Sequence, residues 1–490
     1  MFSPKQKIFL IASHVSLSGL CYGLDTGSIG VITQMEQFSD YIGHLTSMQQ
    51  GIYVSSILLS SSVSSLASGH ISDRISRKWG IFIGSILYLI GTVISAASPN
   101  FAALIVARLI TGMGMGQAIS VATVYLVEIA TADIRGVTAC LLQLNVVIGI
   151  MTGYFIAYGS HDLAGSMSWR VPFIVQAAVA AVLTLGLLLV PFSPRWLVQV
   201  GRNEDAKRVL GKLRAPSAVD SELTEIQRSL QSDRHKALAT WSEIFGRKYV
   251  GRTALGIFLM SFQQLTGVGL PYGRLRSLLP FANIDVVLYY APILFRQAGF
   301  TSERASFLSS GVTGIVMLVC TIPAQIWIDR WGRRMPLVIG GLIMSICFIV
   351  TGSLYARYGQ VADDAVSLSS KAAQWVVIVL IYIFVANFSW SWAVVGKIYA
   401  SEIIPTRLRA KVCALELVAN WIMNFVVTLT APLFLRSSPS GPYFLYGFST
   451  IVAVVVCFLM PETKGRSLEN IEHLFEKRRD GEEEVSMNRS

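Results

Sequence analysis

Charge is what this chain has least of. Asp, Glu, Lys and Arg make up 14% of its 490 residues, where soluble domains carry roughly 25%. That deficit excludes an ordinary water-soluble globule. Histidine is scarce as well, with six in the chain. They are scattered, and no Asp/Glu/His set gathers in a polar segment, so the chain reads as neither an enzyme nor a holder of metal or cofactor. Cys21, Cys140, Cys320, Cys347, Cys413 and Cys457 stand singly inside apolar runs. That is how small buried hydrophobes are placed, not disulfides or metal ligands. There is no phosphate loop and no ATP-binding cassette. "GMGMG" at Gly112 mimics a dinucleotide fingerprint, but it lies in an apolar run with no strand before it. Glycines there let helices pack closely.

Apolar length is what the chain has. It is 53% hydrophobic, with a mean hydropathy of +0.56. Twelve runs approach the ~20 residues needed to cross a bilayer, at about 8–30, 48–70, 79–98, 102–128, 137–159, 170–192, 251–267 with 285–298, 305–328, 335–355, 373–401, 408–431 and 443–460. A stack of buried soluble helices is the competing reading, but the runs are apolar on all faces. The first run holds Asp25 and has no small-residue cleavage site, so it reads as a span and not a signal peptide. The net charge of +11 is placed, not spread. Arg74, Arg77 and Lys78 follow run two, Arg330, Arg333 and Arg334 follow run eight, and Arg407, Arg409 and Lys411 follow run ten. The short loops near 99 and 160–169 have no Lys or Arg. This is the positive-inside pattern, with both termini cytoplasmic and no call for a nucleic-acid partner.

The chain also repeats itself. "DRISRK" (Asp73, Arg74, Arg77) after run two matches "DRWGRR" (Asp329, Arg330, Arg333) after run eight. Glu128 precedes Arg135 by seven residues after run four, as Glu402 precedes Arg409 after run ten. "PFSPRWL" ends run six and "PETKGR" ends run twelve. The expected organisation is a six-span half over 1–198, a cytoplasmic linker of short amphipathic helices over 199–250, and a second six-span half over 251–472. The polar stretch 473–490 reads as a disordered cytoplasmic tail. Transporters are often built from such repeats, with substrate held between them.

With "RLITGMGMG", "EIATADIRG", "PFSPRWL", "QQLTG", "VLYYAPILF", "DRWGRR", "SEIIPTRLRA", "NWIMNF" and "PETKG" in order, the chain resembles the sugar porters of the major facilitator superfamily, in their fungal monosaccharide-transporting style. The resemblance runs from residue 8 to about 472. It implies an all-α membrane protein of the major facilitator fold, with twelve transmembrane helices in two six-helix halves. It also implies a monomer in the plasma membrane that takes up a hexose or pentose. In the family, Asp73 with Arg135 and Asp329 with Arg409 would be inter-helix ion pairs at the cytoplasmic gate, with Arg74, Arg77, Glu128, Arg330, Arg333 and Glu402 around them. Ser76 stands where the family usually has Gly.

Charges inside spans are costly and default to function. Asp25 in "YGLDTGSIG" and Arg108 opening "RLITGMGMG" match the acid and arginine of the proton-coupled members; a static ion pair is the plainer reading. Sugar hydroxyls both donate and accept, as amides do. Gln143, Gln263, Gln264, Asn420 and Asn424 match the family's sugar-binding amides, and Tyr289 and Tyr290 its gating tyrosines. Each alone could be a helix–helix contact.

The departures bear on substrate. Lys397 aligns with a cavity Trp of the family, and Trp390 and Trp392 nearby are expected to supply the aromatic face instead. Met317 aligns near a usual Asn. Lys397 could pair with Glu416, snorkel to the surface, or hold a substrate carboxylate, which opens a sugar-acid or quinate-like alternative. A non-transporting sugar sensor is the rival from another class. Finally, sixteen residues, Gly269 to Ile284, separate "QQLTGV" from "DVVLYYAP". Deleting them puts Asp285 at the family's Asn and brings Tyr289 and Tyr290 into register. The segment is either an insertion at the span-seven bend or translated intervening sequence. As an insertion, Arg274 and Arg276 would each cost at least ~2.5 kcal/mol at membrane depth.

Overall fold

The computed structural model describes residues 3–131, 134–235, 241–246, 248–265, 288–297, 303–362, 365–404, 406–437 and 440–464. Eleven of the described helices are long and apolar enough to cross a membrane, six before the linker and five after it. The described helices of span seven are Val250–Leu265 and Ala291–Gln297. Gly269 to Ile284 and Asp285 lie outside the described residues, as does the stretch 473–490.

Span one runs Pro4–Val15 and Leu17–Ile32, span two Ser47–Ile75, span three Arg77–Ala97 and span four Phe101–Ile129. Spans five and six are Arg135–Ser160 and Met167–Leu187. In the second half, span eight is Glu303–Trp331 and span nine Arg334–Tyr358. Span ten runs Lys371–Trp390 and Trp392–Glu402. Spans eleven and twelve are Thr406–Ser437 and Gly441–Leu459. A small antiparallel hairpin, β1 (Gly359–Ala362) with β2 (Ala365–Leu368), joins spans nine and ten. The helix starts are written locally. Thr46 and Gln49 form a capping box on span two, and the side chains of Asn100 and Ser370 cap spans four and ten.

Small residues set the packing. A Cβ on Gly112 would come within 2.3 Å of the Ile57 carbonyl, one on Gly116 within 2.4 Å of the Ser61 carbonyl, and one on Gly114 within 2.3 Å of the Tyr88 nitrogen. "GMGMG" is thus a contact strip for spans two and three. Span two answers with serines, as Ser61 donates to the Gly112 carbonyl and Ser64 to that of Met113. Glycines also join the two halves. A Cβ on Gly51 of span two would meet the Leu429 carbonyl of span eleven at 2.4 Å. One on Gly314 of span eight would meet Met151 of span five at 2.7 Å.

The linker forms helices Asn203–Leu213, Val219–His235 and Trp241–Ile244. Arg214 docks the first of them by donating to the Ile129 carbonyl at the end of span four, while pairing with Glu222 at 2.6 Å.

Candidate functional site

Asp25 and Arg108 meet in the first half as a buried ion pair, 2% and 1% exposed. Two backbone carbonyls of span two, Tyr53 and Val54, take further guanidinium hydrogens, and the Tyr53 ring lies 5.4 Å below the guanidinium. Arg108 thus bridges spans one, two and four, and Asp25 is the only carboxylate bonded to it among the described residues. A charge in such a place is stable only while it is paired.

Amides gather in the second half. Gln263 donates to the Trp392 carbonyl at 2.9 Å. Asn420 donates to the Met260 carbonyl at 2.9 Å and to Gln263 Oε1 at 3.2 Å, and Gln264 donates to Asn420 Oδ1 at 3.3 Å. Asn424, one turn on, accepts from Thr428 at 3.0 Å. All four amides are buried. The cluster lies where span seven, the span-ten break at Ser391 and span eleven converge. Gln263, Gln264 and Asn420 bond one another as well as the backbone, so a ligand rich in hydroxyls could exchange for the bonds between them.

Tyr289 and Tyr290 hold the far side. The Tyr290 hydroxyl donates to the Thr428 carbonyl at 3.1 Å. A Cβ on Gly30 of span one would meet the Tyr289 carbonyl at 2.2 Å, and the Tyr154 hydroxyl of span five donates to the Leu288 carbonyl. Span seven is therefore closed against spans one and five at this end.

Trp392 contributes its carbonyl to the cluster, not its ring. The ring is fully buried and its Nε1 donates to the Leu337 carbonyl. Trp390 donates to Asn387 and packs edge-on against Trp331. The expected aromatic face is therefore turned into the packing of spans eight to ten. Lys397 is exposed and reaches Gln143 Oε1 of the opposite half at 3.4 Å. Glu416 is elsewhere, buried against Gly256. Met317 is buried.

At the other end of each half sits a corner built to one plan. Arg77 holds Glu128 at 3.1 Å, Ser193 donates to the same carboxylate at 2.5 Å, and Tyr125 donates to the Pro191 carbonyl at 2.8 Å. In the second half Arg333 holds Glu402 at 2.9 Å, Thr463 donates to it at 2.7 Å, and Tyr399 donates to the Pro461 carbonyl at 2.9 Å. Asp73 pairs with Arg77 within its own turn at 2.6 Å. Arg74 and Arg330 are exposed, with Lys464 on the Arg330 carbonyl. The side chains of Arg135, Asp329 and Arg409 lie outside the described residues. Ser193, Thr463 and the two tyrosines are absent from the sequence-based set. Tyr125 and Tyr399 each precede the corner glutamate by three, a repeat signal that would have found them.

A buried ion pair in one half, a neutral amide cluster in the other and matched corners at one face define a two-half membrane carrier. The chain belongs to the sugar (and other) transporter family, whose model matches residues 11–475. It is 31% identical to the high-affinity glucose transporter of Kluyveromyces lactis over 97% of this chain and 86% of that one. It is also 31% identical to the sugar transport protein MST3 of Oryza sativa subsp. japonica, over 98% and 93%. Its fold matches that of the major facilitator proton:xylose symporter XylE bound to 6-bromo-6-deoxy-D-glucose, with a TM-score of 0.77, 26% identity, and coverage of 96% and 100%. The fold is the major facilitator fold, in a multi-pass membrane protein.

Proposed function

We propose that this protein takes up a monosaccharide together with a proton by alternating access. It acts as a monomer in the plasma membrane, with both termini in the cytoplasm. One observation carries the coupling: span one holds Asp25 in the Arg108 pair and, through Gly30, seats the Tyr289 end of span seven. The proton and the outer gate therefore act on one helix. When Asp25 is protonated, its charge leaves the pair, and Arg108 keeps the span-two carbonyls while span one is freed. Sugar replaces the mutual bonds of Gln263, Gln264 and Asn420, with Gln143 facing them from the other half. In the closed-outside state, spans one, five and seven are in contact around Tyr289 and Tyr290. The corners keep Arg77–Glu128 and Arg333–Glu402 as rigid units at the cytoplasmic ends, consistent with the placement of Lys and Arg. The glucose and xylose named for the relatives set the substrate class, a neutral hexose or pentose.

The test is uptake of labelled glucose and xylose into cells lacking their own carriers, with and without a protonophore. Accumulation above the outside concentration that the protonophore abolishes is expected. Uptake that never exceeds equilibration, or that ignores the protonophore, would overturn the coupling. A sugar sensor would give no uptake at all.

A further inference from the structure

One carboxyl has no place in that scheme. Glu416 lies on span eleven one turn before Asn420 and is 3% exposed. Its Oε1 is buried with no hydrogen-bond partner among the described residues. Span seven is shaped around it, since a Cβ on Gly256 would lie 1.9 Å from that oxygen. Four residues on, Met260 receives the Asn420 amide, and Gln263 follows. One seam thus carries Glu416 against Gly256 and, directly above, the sugar amides.

The elements packed on span eleven offer several titratable groups. Span seven has Arg252, span ten Lys397 and Glu402, the linker helix Glu243 and the end of span two His70. Span eleven itself has Lys411 and Cys413. Of these, the Cys413 thiol is the one that hydrogen-bonds Glu416. An ionised carboxylate without a cation in an apolar seam costs several kcal/mol, so the neutral acid is the form that fits this packing.

We propose that Glu416 is a second proton-binding carboxyl of the carrier. Its proton permits span seven to seat on span eleven below the sugar site. While the seam is shut, the O–H bond stays intact. When span seven lifts from span eleven, water reaches the carboxyl. The O–H bond then breaks, the proton passes to that water, and the carboxylate left behind holds the seam open until it is reprotonated. This rests on the proton-coupled reading above and places Glu416 as a positioning residue, acting on the sugar through the helix pair.

The test uses the full-length protein purified and reconstituted in lipid. Infrared spectra of wild type, E416Q and E416D are recorded from acid to alkaline pH, alongside equilibrium exchange of labelled glucose at equal pH on both sides. The wild type should show, at neutral pH, a carboxylic-acid C=O band that E416Q loses and E416D keeps. Exchange in E416Q should lose a titration step that wild type and E416D share. Identical carboxylic-acid bands in wild type and E416Q would overturn the proposal, as would an exchange profile that E416Q leaves unchanged. Failure of proton coupling itself reads out separately, as uptake indifferent to a protonophore, and moves neither the band nor the exchange profile.

Discussion

The two halves solve one corner problem with the same bonds and different caps. Arg77, Glu128, Ser193 and Tyr125 correspond residue for residue to Arg333, Glu402, Thr463 and Tyr399, with the glutamate held by Nε of Arg77 in one half and by Nη2 of Arg333 in the other. What differs is how the helix beginning at the arginine is capped. In the first half, Ser76 caps span three with its own hydroxyl, donated to by the Trp79 nitrogen at 3.2 Å, and does so at a φ of +108°. In the second half Gly332 takes the equivalent turn at +85°, and Glu462 reaches in to accept the Arg333 and Arg334 nitrogens, both at 2.9 Å. Phe192 occupies the place of Glu462 in the first half, with the Lys78 ammonium 5.2 Å from its ring. The carboxylate–arginine bond is therefore the constant of the repeat and the cap is its variable. A larger asymmetry sits at the centre, where the first half carries the charge pair and the second the neutral amides.

That central asymmetry gives the largest expected effect. Asp25→Asn should abolish accumulation above equilibrium while sugar exchange across the membrane continues, measured as uptake and counterflow of labelled glucose. If uphill accumulation survives, Asp25 is not the coupling acid and the charge pair of the first half is structural only.

The corners come next. Glu128 and Arg77 are 8% and 9% exposed, whereas Glu402 is 23% exposed. Removing the arginine leaves its glutamate behind, and Glu128 is then the less hydrated orphan. Arg77→Ala should cost about 3 kcal/mol and Arg333→Ala about 1–2 kcal/mol, read as thermal unfolding of the purified protein. Equal losses would mean that burial does not rank the corners.

Sugar affinity tests the division of labour. Gln263→Ala removes an amide tied to both the span-ten break and Asn420, and should raise the KM for uptake about tenfold. Gln143→Ala in the first half removes the Lys397 contact, its one side-chain hydrogen bond among the described residues, and should raise it about threefold or less. The reverse order would put the sugar on the first half.

How far the sequence reached depends on what kind of group makes each contact. The spans, the duplication and the pair Asp25–Arg108 were readable because charge in an apolar run and a repeated spacing leave marks in residue types. The amides were readable as types, but their partners were not. The Trp392 and Met260 carbonyls carry no residue code, and Trp392 was expected to offer its ring. Glu462 as a helix cap was unreadable because it comes from 129 residues along the chain. Glu416 stood out as unusual, yet only the close approach of Gly256 says what it faces.

The smallest effect is the sharpest test of the corner comparison, because the two turns should respond with opposite signs. A non-glycine residue at positive φ costs about 1–3 kcal/mol, and replacing a serine cap by glycine costs only a few tenths. Ser76→Gly should therefore stabilise the protein by about 1 kcal/mol. Gly332→Ala imposes the strain and adds a collision, since its Cβ would lie 3.0 Å from Glu462 Oε2. It should destabilise by about 1–3 kcal/mol. Glu462 sets a pH signature on the second turn alone. Burial pushes its carboxyl up, but the backbone nitrogens of Arg333, Arg334, Lys464 and Thr463 outweigh this and hold it below the usual range. A carboxyl lowered on folding stabilises above its unfolded pKa, and that share fades as pH falls through the folded one. The stability lost on acidification should thus shrink in Glu462→Gln and stay unchanged in Ser76→Gly, both read from unfolding curves across acid pH. If the two glycine exchanges shift stability in the same direction, the turns are not equivalent, and the cap is not what distinguishes them.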